Sequence, residues 1–287
     1  MIKPIIMELL DGKLVSNYIK DNVKNEVDNI ISKYNKAPSL AVVIVGENPA
    51  SQVYVRNKIK ACEKVGINSI SISLPDTISQ SELENKIKEL AADDSINGIL
   101  VQLPLPTGFD EKPVVELIPQ NKDVDGLTKM NVADLVVGGN GIVPCTPKGV
   151  VDLLEYYNIE LQGKNVAIIG RSMLVGKPLF SLLTNKNATV TLCHSKTRNI
   201  SDITSKADIV VCALGKPKFL KEDMIKEGAV VVDVGINRTE EGLVGDADFD
   251  TIKEKTSYIT PVPGGCGPMT VAELLDNTIK CFYKQQK

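Results

Sequence analysis

Lys58 is the residue whose surroundings best suit it to moving a proton. It lies in "YVRNKIKACEKV", residues 54–65. On a wheel turning roughly 100° per residue, Arg56, Asn57, Lys60, Glu63 and Lys64 share one polar side. Tyr54, Val55, Ile59, Ala61, Cys62 and Val65 lie opposite, and Lys58 falls in the middle of that apolar arc. One reading is that Lys58 snorkels out along its own stem, or that the segment is not a regular helix. The other is an amine in a dry pocket, where desolvation disfavours an ammonium and favours proton transfer. The stretch by itself leaves both open.

The chain has one histidine, His194, which removes several alternatives to a lysine. A zinc site of the H-E-x-x-H type cannot be built, and no G-x-S-x-G turn offers His194 a serine to activate. No metal site is expected. Acid and base work falls to Lys, Tyr, Asp or Glu.

Other groups of residues suggest ligands. Gln102 follows the apolar run "GILV" at the carboxyl end of an expected central strand, where open α/β sheets place their ligands. In "KDVDG" an Asx-turn would account for one of Asp123 and Asp125, and carboxylate recognition of an amino-pyrimidine ring for the other. "NVAIIGRSMLVGKPL" runs from a buried strand through a glycine turn into a helix, but the spacing is Gly170-x-Ser172-x-x-x-Gly176. It reads equally as a phosphate cradle, with Ser172 and backbone N–H groups as donors, or as a plain turn. The next strand ends in "CHSKT", without the acidic residue usual for NAD. His194, Ser195 and Lys196, with Arg171, suit a ribose 2′-phosphate, so NADP is expected over NAD. His194 itself reads equally as a strand-end residue. "ITPVPGGCGPMT" is either a stiff loop bringing backbone close to a flat ligand or a helix lead-in.

Alternating strands and helices must position these groups, which argues for an α/β protein with mainly parallel sheets. Val15, Ile19, Val23, Val27 and Ile30 mark a first helix, followed by the buried strand "SLAVVIVG", the Lys58 helix and the alternating strand "INSISISL". A helix opened by the capping box Ser79-x-x-Glu82 and the strand "GILVQ" come next. Residues 119–145 lose regularity and read as an interdomain crossing, after which Thr146 caps a helix with Pro147 in its first turn. Strands at "NVAIIG", "ATVTLCH", "DIVVCAL", "AVVVDVG" and "SYITPVP" build a second α/β series. Val271, Leu274, Leu275, Ile279 and Phe282 define a last helix able to pack back on an earlier domain.

The 287 residues allow two ordinary domains. A net charge of −3, with no basic stripe and no tryptophan, gives no footing for nucleic acid. "MIKPIIMELLDGK" lacks the long apolar core of a secretory leader, and no run is long enough to span a bilayer. The scattered cysteines, six in all, read as reduced packing residues of a cytoplasmic protein.

Together these stretches resemble one family closely, the bifunctional methylenetetrahydrofolate dehydrogenase/methenyltetrahydrofolate cyclohydrolases. In order they are "VGENPASQVYVRNKIKACEKVGI", "GILVQLPLP", "KDVDG", "PCTPKGV", "GRSMLVGKP", "CHSKT", "VDVGIN", "GD" before "DF", and "TPVPGGCGPMT". The resemblance implies an N-terminal α/β folate-site domain (1–141 with 271–287) and a Rossmann-like NADP-binding domain (142–270). The C-terminal helix would pack back on the first domain, and the folate site would lie in the cleft between the two.

By the same resemblance Lys58 would be the principal catalytic group, oriented by Gln102, with Tyr54 against the folate ring and Asp125 on the pterin. Pro261, Val262, Pro263, Gly264 and Gly265 would border the folate. Gly170, Arg171, Ser172, Ser195 and Ile236 would line NADP. A cytoplasmic homodimer serving one-carbon metabolism and purine biosynthesis is implied. Two departures stand out: Cys266 replaces a common valine, and "DGLTKMN" replaces the usual "DG-aromatic-His-Pro-x-Asn". An NAD-dependent or monofunctional dehydrogenase is the nearest alternative, and a non-catalytic folate or nucleotide binder the more distant one.

Overall fold

A computed structural model describes residues 7–240 and 242–286; residues 1–6, read above for a leader, lie outside it. The described residues form two compact units, one of residues 17–145 and 271–286, the other of residues 7–16 and 146–270.

The first unit is built on a three-stranded parallel sheet of β2 (Ser39–Val45), β3 (Asn68–Leu74) and β4 (Gly98–Val101) in the order β3-β2-β4. The unbroken apolar run of β2 places it in the middle, where every residue is buried. β3 alternates in sequence and lies at an edge, part exposed. Two helices carry the connections, α2 (Pro49–Val65) from β2 to β3 and α3 (Gln80–Ala92) from β3 to β4, and α1 (Gly12–Tyr34) leads into β2. The capping box at α3 is present, with Glu82 N donating to Ser79 Oγ and Ser79 N to Glu82 Oε2.

The stretch at 119–145 is more ordered than its composition suggests. After the short α4 (Glu111–Glu116) it contains α5 (Lys129–Val137), ended by Gly138 in the left-handed region. Asp123 supplies what the sequence pattern hides: its buried carboxylate accepts from Thr128 N at 2.8 Å and Asn131 Nδ2 at 2.9 Å, fixing the entry to α5. The N-terminal cap expected for the following helix is also different. That helix, α6 (Cys145–Tyr156), already includes Thr146, whose hydroxyl pairs with that of Thr270.

The last helix, α10 (Cys266–Lys284), sets Leu274, Leu275, Ile279 and Phe282 into the core of the first unit with Val23, Val27, Ile30, Leu40 and Ile44. Phe282 is fully buried and meets Tyr34 edge-on at 5.3 Å between ring centres. Asn277, also fully buried, donates through Nδ2 to the carbonyls of Val124 and Val143, tying the irregular segment to α10.

The second unit is a six-stranded, all-parallel sheet. Its strands are β1 (Glu8–Leu9), β5 (Asn165–Ile169), β6 (Thr189–Cys193), β7 (Ile209–Cys212), β8 (Ala229–Asp233) and β11 (Thr256–Ile259), in the order β1-β11-β8-β7-β5-β6. Counted from β5, this is the 2-1-3-4-5 order of one doubly wound class with one strand added. The helices α7 (Gly176–Asn185) and α8 (Ile200–Thr204) follow β5 and β6. A hairpin of β9 (Asn237–Thr239) and β10 (Gly242–Val244) and the short α9 (Phe249–Ile252) lie between β8 and β11.

The expected grouping of residues 1–141 with the first unit differs from these two units at its start. β1 pairs in parallel with β11, so the described chain up to Ser16 belongs with the second unit. Two residues of strand carry no periodicity from which this could be read.

Truncating Phe282 to alanine should leave a cavity in the first unit and cost about 3–5 kcal/mol of unfolding free energy. Chemical denaturation checks this, and a loss below about 1 kcal/mol would show that the α10 contact is not part of the core.

Candidate active site

In the first unit the helix expected around Lys58 forms, and the amine is half-buried rather than turned freely to water. Its Nζ donates to Gln102 Oε1 at 3.0 Å. Gln102 lies just beyond β4, held by its own N–H to the carbonyl of Val43, and its Nε2 donates to Leu103 O at 2.7 Å. That second bond orients the amide, since the nitrogen is engaged by a carbonyl and only the oxygen can face the lysine. Tyr54 lies one helical turn before Lys58 and is 48% exposed, a ring available to a flat partner.

Asp125 is the third member of this group. Burial pushes its carboxyl upward, the positive charge of Lys58 opposes that shift, and the neighbouring Asp123 adds to it. The two aspartates of "KDVDG" differ in their surroundings: Asp123 Oδ2 accepts from Thr128 N and Asn131 Nδ2 at the start of α5, and Asp125 feels the charge of Lys58.

Cys145, which no spacing singles out, also joins this group. It is buried, and its thiol donates to Val124 O at 3.4 Å and Asp125 Oδ1 at 3.6 Å. Burial, reinforced by the Asp125 charge, raises it well above the usual thiol range, so it acts here as a neutral donor. The one available signal was its place in "PCTPKGV", which by itself does not distinguish a site thiol from a packing residue. All six cysteines are buried and free.

In the second unit the glycine turn after β5 stands beside the end of β7, at the point where successive connections leave the sheet in opposite directions. Gly170 has φ near +130°, and a Cβ there would lie 2.1 Å from the carbonyl oxygen of Ala213. The turn thus requires glycine for reasons of backbone contact. Ser172 Oγ accepts from Val175 N at 3.1 Å, which keeps its hydroxyl hydrogen available to an acceptor.

Ile169 is in register with Cys193, so the residues after β5 and β6 are neighbours. Arg171, Ser195 and Lys196 are all exposed there. His194 shapes the turn that presents Ser195: its Nδ1 accepts from Lys196 N at 3.1 Å and its backbone N–H donates to Thr197 Oγ1. Ile236 follows β8 and is 44% exposed. These features fit a phosphorylated dinucleotide: a glycine cradle, a free hydroxyl and two cations at adjoining strand ends.

Pro261, Val262 and Pro263 follow β11 and are partly or fully exposed, while Gly264 and Gly265 are buried against the start of α1, where Lys13 N donates to Gly264 O. They belong to the second unit and Lys58, Gln102, Tyr54 and Asp125 to the first. Among the described residues there is no cluster of His, Cys, Asp and Glu able to hold a metal, and no helix long and apolar enough to cross a membrane.

Comparison with known proteins finds two family domains along the chain. Residues 10–125 match the catalytic-domain model of tetrahydrofolate dehydrogenase/cyclohydrolase, and residues 144–286 match its NAD(P)-binding-domain model. A Campylobacter concisus protein named bifunctional protein FolD is 56% identical over 274 residues, covering 95% of this chain and 96% of its own. The crystal structure of the Campylobacter jejuni bifunctional FolD dehydrogenase/cyclohydrolase superposes with a TM-score of 0.96 at 49% identity, over 97% of this chain and 99% of that one. The Trypanosoma brucei dehydrogenase-cyclohydrolase, solved with NADP cofactor and an inhibitor, has a TM-score of 0.92 at 39% identity, over 97% and 98% of the two chains. The chain belongs to the tetrahydrofolate dehydrogenase/cyclohydrolase family.

Proposed function

We propose that Lys58, oriented by Gln102, is the proton-transfer group of a bifunctional methylenetetrahydrofolate dehydrogenase/methenyltetrahydrofolate cyclohydrolase. The observation that carries this reading is the 3.0 Å bond from Lys58 Nζ to Gln102 Oε1, together with the half-buried Asp125 carboxyl that feels the lysine's charge. The enzyme oxidises 5,10-methylenetetrahydrofolate to 5,10-methenyltetrahydrofolate and hydrolyses the product to 10-formyltetrahydrofolate.

The oxidation needs little acid or base help, because nitrogen lone pairs beside the one-carbon bridge drive hydride departure; the protein's task is placement. NADP bound at the Gly170 turn supplies the hydride acceptor. Gly170 lets the backbone approach the phosphates, Ser172 donates its hydroxyl, and Arg171 with Ser195 meets the ribose phosphate. Ile236 packs beside the cofactor.

Hydrolysis requires water to add to the methenyl carbon, losing a proton, and a ring nitrogen to gain one as the ring opens. Lys58 is the group that passes this proton, and Gln102 holds the amine at one angle while it does so. Tyr54 stacks against the folate ring. Asp125 accepts hydrogen bonds from the pterin, with the neutral Cys145 thiol buttressing one carboxylate oxygen. Residues 261–265 border the folate.

The family's usual arrangement, and six buried free thiols suited to a reducing compartment, support a cytoplasmic homodimer that feeds purine biosynthesis.

Three outcomes test this assignment. Lys58→Met should lower methenyltetrahydrofolate hydrolysis by at least about a hundredfold while the fold and NADP binding persist. Full turnover in that variant removes Lys58 from the mechanism. Asp125→Ala should raise KM for the folate substrate by roughly tenfold, because a charge-assisted contact is lost; an unchanged KM refutes the pterin role. Initial rates of dehydrogenation should favour NADP over NAD, and Arg171→Ala should narrow the gap. A wild-type preference for NAD would overturn the reading of the strand end at 194–196.

A further inference from the structure

Of the stretches "VDVGIN" and "GD" before "DF" only Ile236 enters the assignment above, yet they also supply heavily bonded side chains of the second unit. Asp246 is fully buried. Its Oδ2 accepts from Leu214 N at 2.6 Å and Gly215 N at 2.9 Å. Its Oδ1 accepts from Lys216 N at 2.8 Å and Asn237 Nδ2 at 2.9 Å. Three successive backbone N–H groups thus converge on one carboxylate, an arrangement that sets the path of the turn leaving β7.

Both ends of this arrangement reach the candidate cofactor site. Ala213, just before the turn, is the residue whose carbonyl oxygen lies against Gly170. Asn237, which supplies the fourth bond, directly follows Ile236. Asp246 is itself held by a second carboxylate at the end of β8. Asp233 Oδ1 accepts from Asp246 N at 3.0 Å and Gly235 N at 2.9 Å, and its Oδ2 from Ala247 N at 2.7 Å. The fit is close enough that a Cβ on Gly235 would lie 2.2 Å from the Asp246 carboxyl group.

We infer that Asp246 is a positioning residue for the dinucleotide: its carboxylate locks the 214–216 turn and Ile236 into the one arrangement that seats the cofactor. The inference rests on the placement of NADP proposed above. An asparagine cannot replace this group, although it has the same shape. It offers one acceptor oxygen where two are used, and either orientation of its amide sets an N–H donor against at least one backbone N–H.

Titration calorimetry of the full-length chain with NADP tests the assignment. Asp246→Asn should raise the Kd for NADP by about tenfold or more, with KM for NADP rising in parallel and KM for the folate substrate held. A purely structural role would lower the folded fraction and the melting temperature while the folded molecules kept their Kd, and that result overturns the inference. Asn237→Ala withdraws one side-chain donor and leaves the backbone turn intact; it should raise the Kd by about threefold. If Asp246→Asn does not fold, this second variant decides, and an unchanged Kd in it overturns the inference. Wild-type chain that fails to bind NADP brings down the cofactor assignment and this inference together. Wild-type binding with unchanged Kd in the variants overturns the inference alone.

Discussion

Parallel strands that end inside a protein leave backbone N–H groups beyond the last rung of the ladder, and each needs an acceptor. In this protein buried side chains, chiefly carboxylates, supply many of those acceptors. Asp123 does so after the segment that bridges to β4, Asp233 at the end of β8, and Asp246 for the turn after β7. The cost of burying a carboxylate is met by several charge-assisted bonds to each. For Asp233 burial still dominates, and its carboxyl is pushed up to about 6 although three backbone N–H groups pull it down.

The same constraint explains where chemistry collects. A strand end whose backbone has been satisfied by a side chain is rigid, and side chains that leave it are held at fixed angles. Gln102 is the plainest case. Its backbone N–H is tied to β2 and its amide nitrogen to Leu103, so that its oxygen is left to define where the Lys58 amine sits. In the second unit the glycine turn is fixed from below by contact between Gly170 and Ala213. Asp123 and Asp125, two residues apart, show how closely structural and chemical roles can stand: one carboxylate holds the start of α5, the other feels the charge of Lys58.

Much of the fold could be read from residue patterns because burial acts on them directly. The all-apolar β2, the alternating β3, the capping box at Ser79 and the apolar face of α10 each carry a periodicity that burial imposes. Where a segment is ordered by a distant or unusual partner, the pattern is silent. The α5 helix depends on Asp123, and the edge strand β1 on β11. Thr146 has the chemistry of a cap but lies inside α6, since its hydroxyl found Thr270 instead.

The sequence by itself determined the residue types and their order: an amine on an apolar helical arc, a glycine turn after a buried strand, a basic rather than acidic strand end, and one histidine too few for most other mechanisms. Tertiary structure decided partnership. Only folding brings Lys58 to Gln102 across 44 positions of chain, leaves Cys145 against Asp125, gives His194 to its own turn, and converges three backbone N–H groups on Asp246. The reason is physical: periodicity records which face of an element is buried, whereas a hydrogen bond between distant residues depends on how those elements pack, and leaves no repeat in the sequence.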